Sequence, residues 1–500
     1  MTLGETPLRH EVLGLIRLIR VIRGETLIGT CRMKLSLALI VLVITGIHSL
    51  AAEPLLSVGF SEVDISPVLG KKPVLMAGFG HNRIATKVHD PLMARAVVLS
   101  DGTNKIALVA VDLVGFFLPN VETVRTKLSG FQYVMISATH NHEGPDTLGL
   151  WGASPFQNGI DPEYLKLVEE KCAKAVTQAD AARKPATAKI GTAKGPELLH
   201  DGRQPIVKHD DIVTIQFEDA ATKIPLGILV QWNCHPETMG DKNTEITTDY
   251  VYATVKHLQD AHKCPVAYFT GTVGGLMTSL HVEVKDATGK LLQDGTWEKT
   301  ELYGKLVGQL ADKAIKQSEP VTLTPFVVRT KAALIPVDNN VYRLGKQLGV
   351  LNRVMFAYDG NPTPEKYIES QDVTKPVGIR TEIGYLKLGD LEVAAIPGEI
   401  YPELILGKVQ DPVDPGADFP DAPVEPSIYG NFKSKHRMIF GLANDELGYF
   451  IPKRQWDEKA PYCYGLKKSQ YGEINSMGPE TAPIICGVFR DLVKSAPAPK

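Results

Sequence analysis

Short runs of β-branched and aromatic residues, each bounded by polar residues, Gly or Pro, recur along the chain with helix-spaced segments between them. That alternation predicts an α/β fold. The strand-like runs are 106–111, 133–137, 212–217, 227–232, 266–269, 392–396 and 437–440, close to continuously apolar, as strands buried on both faces are. Asp161-Pro162 reads as an N-cap with proline at the first helical position, after which Leu165, Val168, Cys172 and Val176 recur at helical spacing. Leu302, Leu306 and Leu310 mark a second amphipathic helix. Two segments read as long surface loops or lids. Residues 339–375 are poor in periodicity, and 410–427 carry Pro412, Pro415, Pro420, Pro423 and Pro426 among acidic residues. No repeat occurs at solenoid periods, so one large domain or two closely packed ones are expected.

Composition narrows the partners. The 54 basic against 57 acidic residues include no basic run, which argues against nucleic acid. Six cysteines stand far apart without a C-x-x-C pair, so a thiolate zinc module is excluded and disulfides stay unassigned. From Met33 a lysine (Lys34), an apolar core over 37–44 and small residues Ser49 and Ala51 make a secretory signal peptide over 33–51, cleaved after Ala51. This predicts a secreted or periplasmic protein. Residues 1–32 read as translation from a start codon placed too early, 52–495 as the folded domain and 496–500 as a tail. Export would leave 48 basic against 54 acidic residues.

Chemistry gathers where strands end. Run 133–137 leads into Ala138-Thr139-His140-Asn141-His142-Glu143-Gly144-Pro145-Asp146, and run 227–232 into Asn233-Cys234-His235-Pro236-Glu237. Two histidines at i and i+2 can place one imidazole on a metal with the other beside it. An H-x-H pair alone is weak, and a lone histidine is more often a hydrogen-bonded core residue. Two strand ends that each deliver a histidine carry more weight, because open α/β sheets bind ligands beyond the carboxyl ends of their strands. Runs 392–396 and 437–440 lead in the same way into Pro397-Gly398-Glu399 and into 441–449, which ends on Tyr449. A barrel amidohydrolase would need a later His, His, Asp series at successive strand ends, and none follows.

Taken in order, these segments resemble the catalytic domain of the neutral/alkaline, non-lysosomal ceramidases. The anchors are Asp90-Pro91-Leu92-Met93-Ala94-Arg95-Ala96, T-H-x-H-x-G-P at 139–145, H-P-x-x-M-G at 235–240 with Thr248-Asp249-Tyr250 after it, Pro397-Gly398-Glu399, and 444–449. The resemblance implies mixed β-sheets flanked by helices and a zinc-dependent amidohydrolase acting on an N-acyl lipid or related N-acyl compound, with peripheral membrane contact in view. It places zinc ligands on His140, His235, Glu399 and Tyr449, and catalytic roles on His142 and Arg203. Such enzymes continue into a C-terminal β-sandwich domain, which this sequence lacks. They also carry serine and glycine where this chain has Glu143 and Asp146, carboxylates expected near the pocket, with Glu143 read as a solvated loop residue or a general base. Hydrolysis of another amide or ester, such as an acylated glycan or amino sugar, and a catalytically silent binding protein are the alternatives.

Overall fold

The computed structural model describes residues 56–495; the N-terminal extension, the signal peptide and the tail lie outside the described residues. Among the described residues, nine strands form one sheet. β1 (Ser57–Asp64), β2 (Met93–Ser100), β3 (Lys105–Val111), β4 (Tyr133–Ala138), β5 (Lys184–Lys194), β6 (Asp211–Asp219), β7 (Pro225–Trp232) and β8 (Val266–Thr270) lie in the order β8-β7-β6-β5-β1-β2-β3-β4, and β9 (Glu319–Val321) joins β5. A second sheet has the order β10 (Phe326–Pro336), β11 (Val377–Leu388), β12 (Leu391–Ala395), β13 (His436–Phe440), with the short strand Phe356–Ala357 also on β11. Three neighbouring pairs are parallel, β3 with β4, β7 with β8, and β12 with β13.

The side-chain alternation of the strands explains the layering. Val97, Leu99, Leu108, Met135, Ile215 and Leu229 of the first sheet meet Leu386, Val393 and Met438 of the second in a shared core. Their neighbours Val98, Val109 and Ile136 point the other way, against α1 (Leu118–Thr126) and α2 (Pro162–Ala181). Val230 and Tyr268 pack under α3 (Tyr250–His262) and α4 (Trp297–Lys316). Two short helices follow, α5 (Asn340–Gln347) and α6 (Pro402–Leu406), and Ile485 and Phe489 of α7 (Thr481–Lys494) cover Ile335 and Ile383 of the second sheet. The result is helix, sheet, sheet, helix, the mixed α/β architecture expected, with a strand at every predicted run.

The details depart in two places. α2 starts as read, with the Asp161 carboxylate accepting from the Glu163 N–H. The buried face of α4, however, is Tyr303, Val307, Leu310, Ala311 and Ala314, while Leu302 and Leu306 are half-buried, because Gly304 and Gly308 let α3 close on that side. Segment 339–375 is not all loop: the Asn339 side chain caps α5 by accepting from the Val341 and Tyr342 N–H groups. α5 buries none of its residues completely, so no core period marked it in the sequence. Segment 410–427 carries no helix or strand, as expected. The five described cysteines are buried and free.

Candidate metal centre and its cavity

Strand direction brings the predicted residues together. β4, β7, β12 and β13 point their carboxyl ends at one region, where the following loops place His140, His235, Glu399 and Tyr449, all buried. His140 takes a left-handed backbone conformation, φ 64°. For a non-glycine residue that costs on the order of 1 kcal/mol or more. The Thr139 N–H, donating to Val111 O at 2.9 Å, and the Asn141 N–H, donating to Leu113 O at 3.0 Å, hold it there. The Asn141 amide donates further to the carbonyls of Asp112 and Thr247. Asp112 is itself fully buried against Arg95 at 2.6 Å. The anchor at 90–96 is thus structural: Asp90 accepts from the Thr248 N–H and Arg95 braces the strand end under the histidines.

The imidazoles of His140, His142 and His235 offer ligand atoms within 4.8 Å of one another. His140 Nδ1 lies 2.7 Å from Val114 O and His235 Nδ1 2.8 Å from Met277 O. A carbonyl only accepts, so both rings carry their proton on Nδ1 and present Nε2. Metal-binding imidazoles are held this way. Glu399 Oε2 lies 3.0 Å from His235 Nε2 and 3.3 Å from His140 Nε2, and the Tyr449 hydroxyl 3.5 Å from His235 Nε2. Glu399–Ile400 and Tyr449–Phe450 form a short parallel pair with Glu399 directly opposite Tyr449. Gly274 packs so closely behind that a Cβ would come within 2.6 Å of Glu399 O. Burial alone would raise the Glu399 carboxyl, yet His140 and His235 hold it below the usual carboxylate range. Burial and then Glu399 push the Tyr449 phenol well up. Two imidazoles, a carboxylate and a phenol converging in this way suit a zinc ion.

His142 differs from its neighbours. Neither ring nitrogen has a hydrogen-bond partner among the described residues, and Glu237 Oε2 stands 3.3 Å from Nδ1 outside hydrogen-bond geometry. Burial, then His140 and His235, push its pKa well below the usual histidine value, so the ring is neutral. Gly78, at φ +99°, leaves the ring room, since a Cβ there would sit 2.5 Å from His142 Cβ. Arg83 fixes the loop by donating to the His142 and Ala77 carbonyls.

His140, His142, Glu399 and Tyr449 open onto a cavity walled by Phe117, Leu148, Trp151, Leu351 and Met477, with Arg353, Glu446 and Tyr471 as its other polar members. Its shape recurs in solved proteins. The chain matches the crystal structure of neutral ceramidase from Pseudomonas aeruginosa with a TM-score of 0.65 at 15% identity, over 88% of this chain and 74% of that one. This is the neutral ceramidase fold. A ceramidase complexed with C2 matches with a TM-score of 0.64, 15% identity, and 88% and 75% of the two chains. No family model and no curated protein matches the sequence.

Within the ceramidase fold three expectations need correction. Arg203 does not line the cavity. Its guanidinium is buried in a two-pronged pair with Glu473 at 2.7 Å, donates to the carbonyls of Tyr471 and Gln455, and lies over the Tyr401 ring. Glu143 is not solvated: it is fully buried beside Arg83 and accepts from the Asn243 amide at 2.8 Å. Asp146 also faces away from the cavity, accepting the N–H groups of Leu148, Gly149 and Trp151 in a tight turn. The walls beside the histidines are therefore mainly apolar. Sequence reasoning passed over Glu237, Tyr471, Arg353 and Glu446, and the only signal was the proximity of Glu237 and Glu446 to quoted motifs.

Proposed function

We propose that this protein is a zinc-dependent amidohydrolase that cleaves the amide of an N-acyl lipid or related N-acyl compound outside the cytoplasm. The observation that supports this best is the cluster of His140, His142 and His235 opening, with Glu399 and Tyr449, onto an apolar cavity in a ceramidase fold. His140, His235, Glu399 and Tyr449 would hold the ion. Zinc bound there supplies Lewis acidity for the amide carbonyl and brings the pKa of water toward about 7.

The chain's own residues do the rest. Neutral His142 accepts the proton of the attacking water and returns it to the departing nitrogen, the work of a general base that becomes a general acid. Glu237, 3.3 Å from Nδ1, favours the imidazolium formed between those steps and orients the ring so that Nε2 is the working atom. The apolar walls exclude water and take an acyl chain. Arg203 enters as a positioning residue that ties the segment bearing Tyr471 to the site through Glu473.

The export reading rests on the 33–51 pattern, which lies outside the described residues. Lipid presentation is supported by Val341, Leu344 and Leu348 of α5, each about half exposed, with Lys346 among them. Tyr342 of the same helix lines the cavity. No described helix is long and apolar enough to cross a membrane. The test is zinc content of the purified protein beside release of fatty acid from a panel of N-acyl amides and matched esters. Amide cleavage by zinc-loaded protein is expected. Zinc-loaded protein that cleaves nothing in the panel overturns the reading in favour of a binding protein.

A further inference from the structure

The cavity contains one polar group that the hydrolytic chemistry leaves idle. Among its described lining residues, only His142 and Glu446 bear buried side-chain atoms with no hydrogen-bond partner. His142 is accounted for at the reacting centre. Glu446 is more than nine-tenths buried, its Oε1 accepts the Gly448 N–H at 2.7 Å, and its Oε2 has no partner among the described residues.

The carboxylate is fixed rather than adrift. Asp445 Oδ1 accepts the Glu446 and Leu118 N–H groups, and both Asp445 oxygens are gripped by Arg353 at 2.7 and 2.9 Å. Arg353 is in turn held over the Phe117 ring, 4.2 Å from its centre. Gly115 lies beneath, where a Cβ would come within 2.9 Å of Glu446 Cβ and Cγ. Buried carboxylate oxygens in folded proteins are almost always satisfied, and a rigid unsatisfied one on a cavity wall marks a contact that a ligand completes.

We propose that Glu446 is a specificity-determining residue whose unpaired Oε2 hydrogen-bonds a hydroxyl group of the N-acyl substrate. A hydroxyl suits the position because it both donates and accepts, and because it remains uncharged beside the Arg353–Asp445 pair. The substrate class is then a hydroxylated N-acyl compound, in preference to a simple alkyl amide of the same size. This inference rests on the hydrolase reading for its substrate and on the orphaned oxygen for its selectivity.

Three probes test it on the zinc-loaded protein: N-dodecanoylpropylamine, N-dodecanoyl-2-aminoethanol with a hydroxyl on the amine side, and N-(2-hydroxydodecanoyl)propylamine with one on the acyl side. Fatty-acid release gives kcat/KM, and calorimetry gives Kd for the same compounds. At least one hydroxylated probe should be preferred over the parent by about tenfold or more. Glu446→Leu should bring that ratio to about one while keeping zinc and Tm, and Glu446→Gln, which retains a polar atom, should fall between. Wild type that shows the preference in Kd but releases no acid defeats the hydrolase reading and supports this one. Wild type that treats all three alike overturns the inference whether or not the variants fold. So does a Glu446→Leu protein that keeps the preference, or one that loses its zinc and so makes Glu446 a metal ligand.

Discussion

His142 and its two histidine neighbours share a region but not a set of bonds, and their variants should separate accordingly. His140→Ala and His235→Ala each remove an imidazole whose Nε2 is presented by a tied Nδ1, so each should lose most bound zinc. His142→Ala should keep its zinc and lose about 10²-fold or more in kcat, the usual contribution of a positioned acid–base group. Full activity in a zinc-loaded His142→Ala protein would remove the residue from the mechanism. Arg203 calls for a different readout. Removing it strands the buried Glu473 charge, which should cost about 3–5 kcal/mol in denaturant unfolding, with Arg203→Lys recovering part. A stable Arg203→Ala protein defective only in kcat would instead return the arginine to the carbonyl. The histidines were legible because each follows a strand end. Glu237 and Glu446 were not, since an acidic residue beside a motif says nothing until the opposing loop is in place.

At the scale of elements, the strands were readable because burial on both faces writes long apolar runs, and α2 because Asp161-Pro162 announces its start. α5 was not readable: it is eight residues long and turns Val341, Leu344 and Leu348 outward. That unburied face supports the reading of α5 as the edge that meets lipid. Replacing Leu344 and Leu348 by Asp should weaken binding to phosphatidylglycerol–phosphatidylcholine vesicles and slow hydrolysis of a long-chain N-acyl substrate in those vesicles. Turnover of a water-soluble short-chain amide should be unchanged. Equal losses on both substrates would show that α5 shapes the cavity through Tyr342 instead.

For the whole molecule, the pairing of two sheets through one core could not be read from separate strands, because it depends on which sheet each strand joins. That packing also buries acids at some cost. Glu403 on α6 is buried with Oε2 unpaired, and burial, then the nearby Asp201, push its carboxyl up to about 8. The folded state therefore keeps a proton that the unfolded chain releases near 4.5, so the group's contribution is complete below about pH 4.5 and is lost as pH rises through about 8. Glu403→Gln should match wild-type Tm near pH 5 and exceed it by several degrees at about pH 9. A Tm difference that does not change with pH would contradict this.

The most direct test of zinc-dependent amide hydrolysis is a removal and restoration series on the purified wild-type protein. Zinc content and fatty-acid release from N-dodecanoyl-2-aminoethanol are followed together as a chelator strips the metal and zinc is returned. Hydrolysis should fall in proportion to zinc and recover on its return, with one zinc per chain at full activity. Hydrolysis that persists in the stripped protein, or a zinc-loaded protein that cleaves no amide, would contradict it.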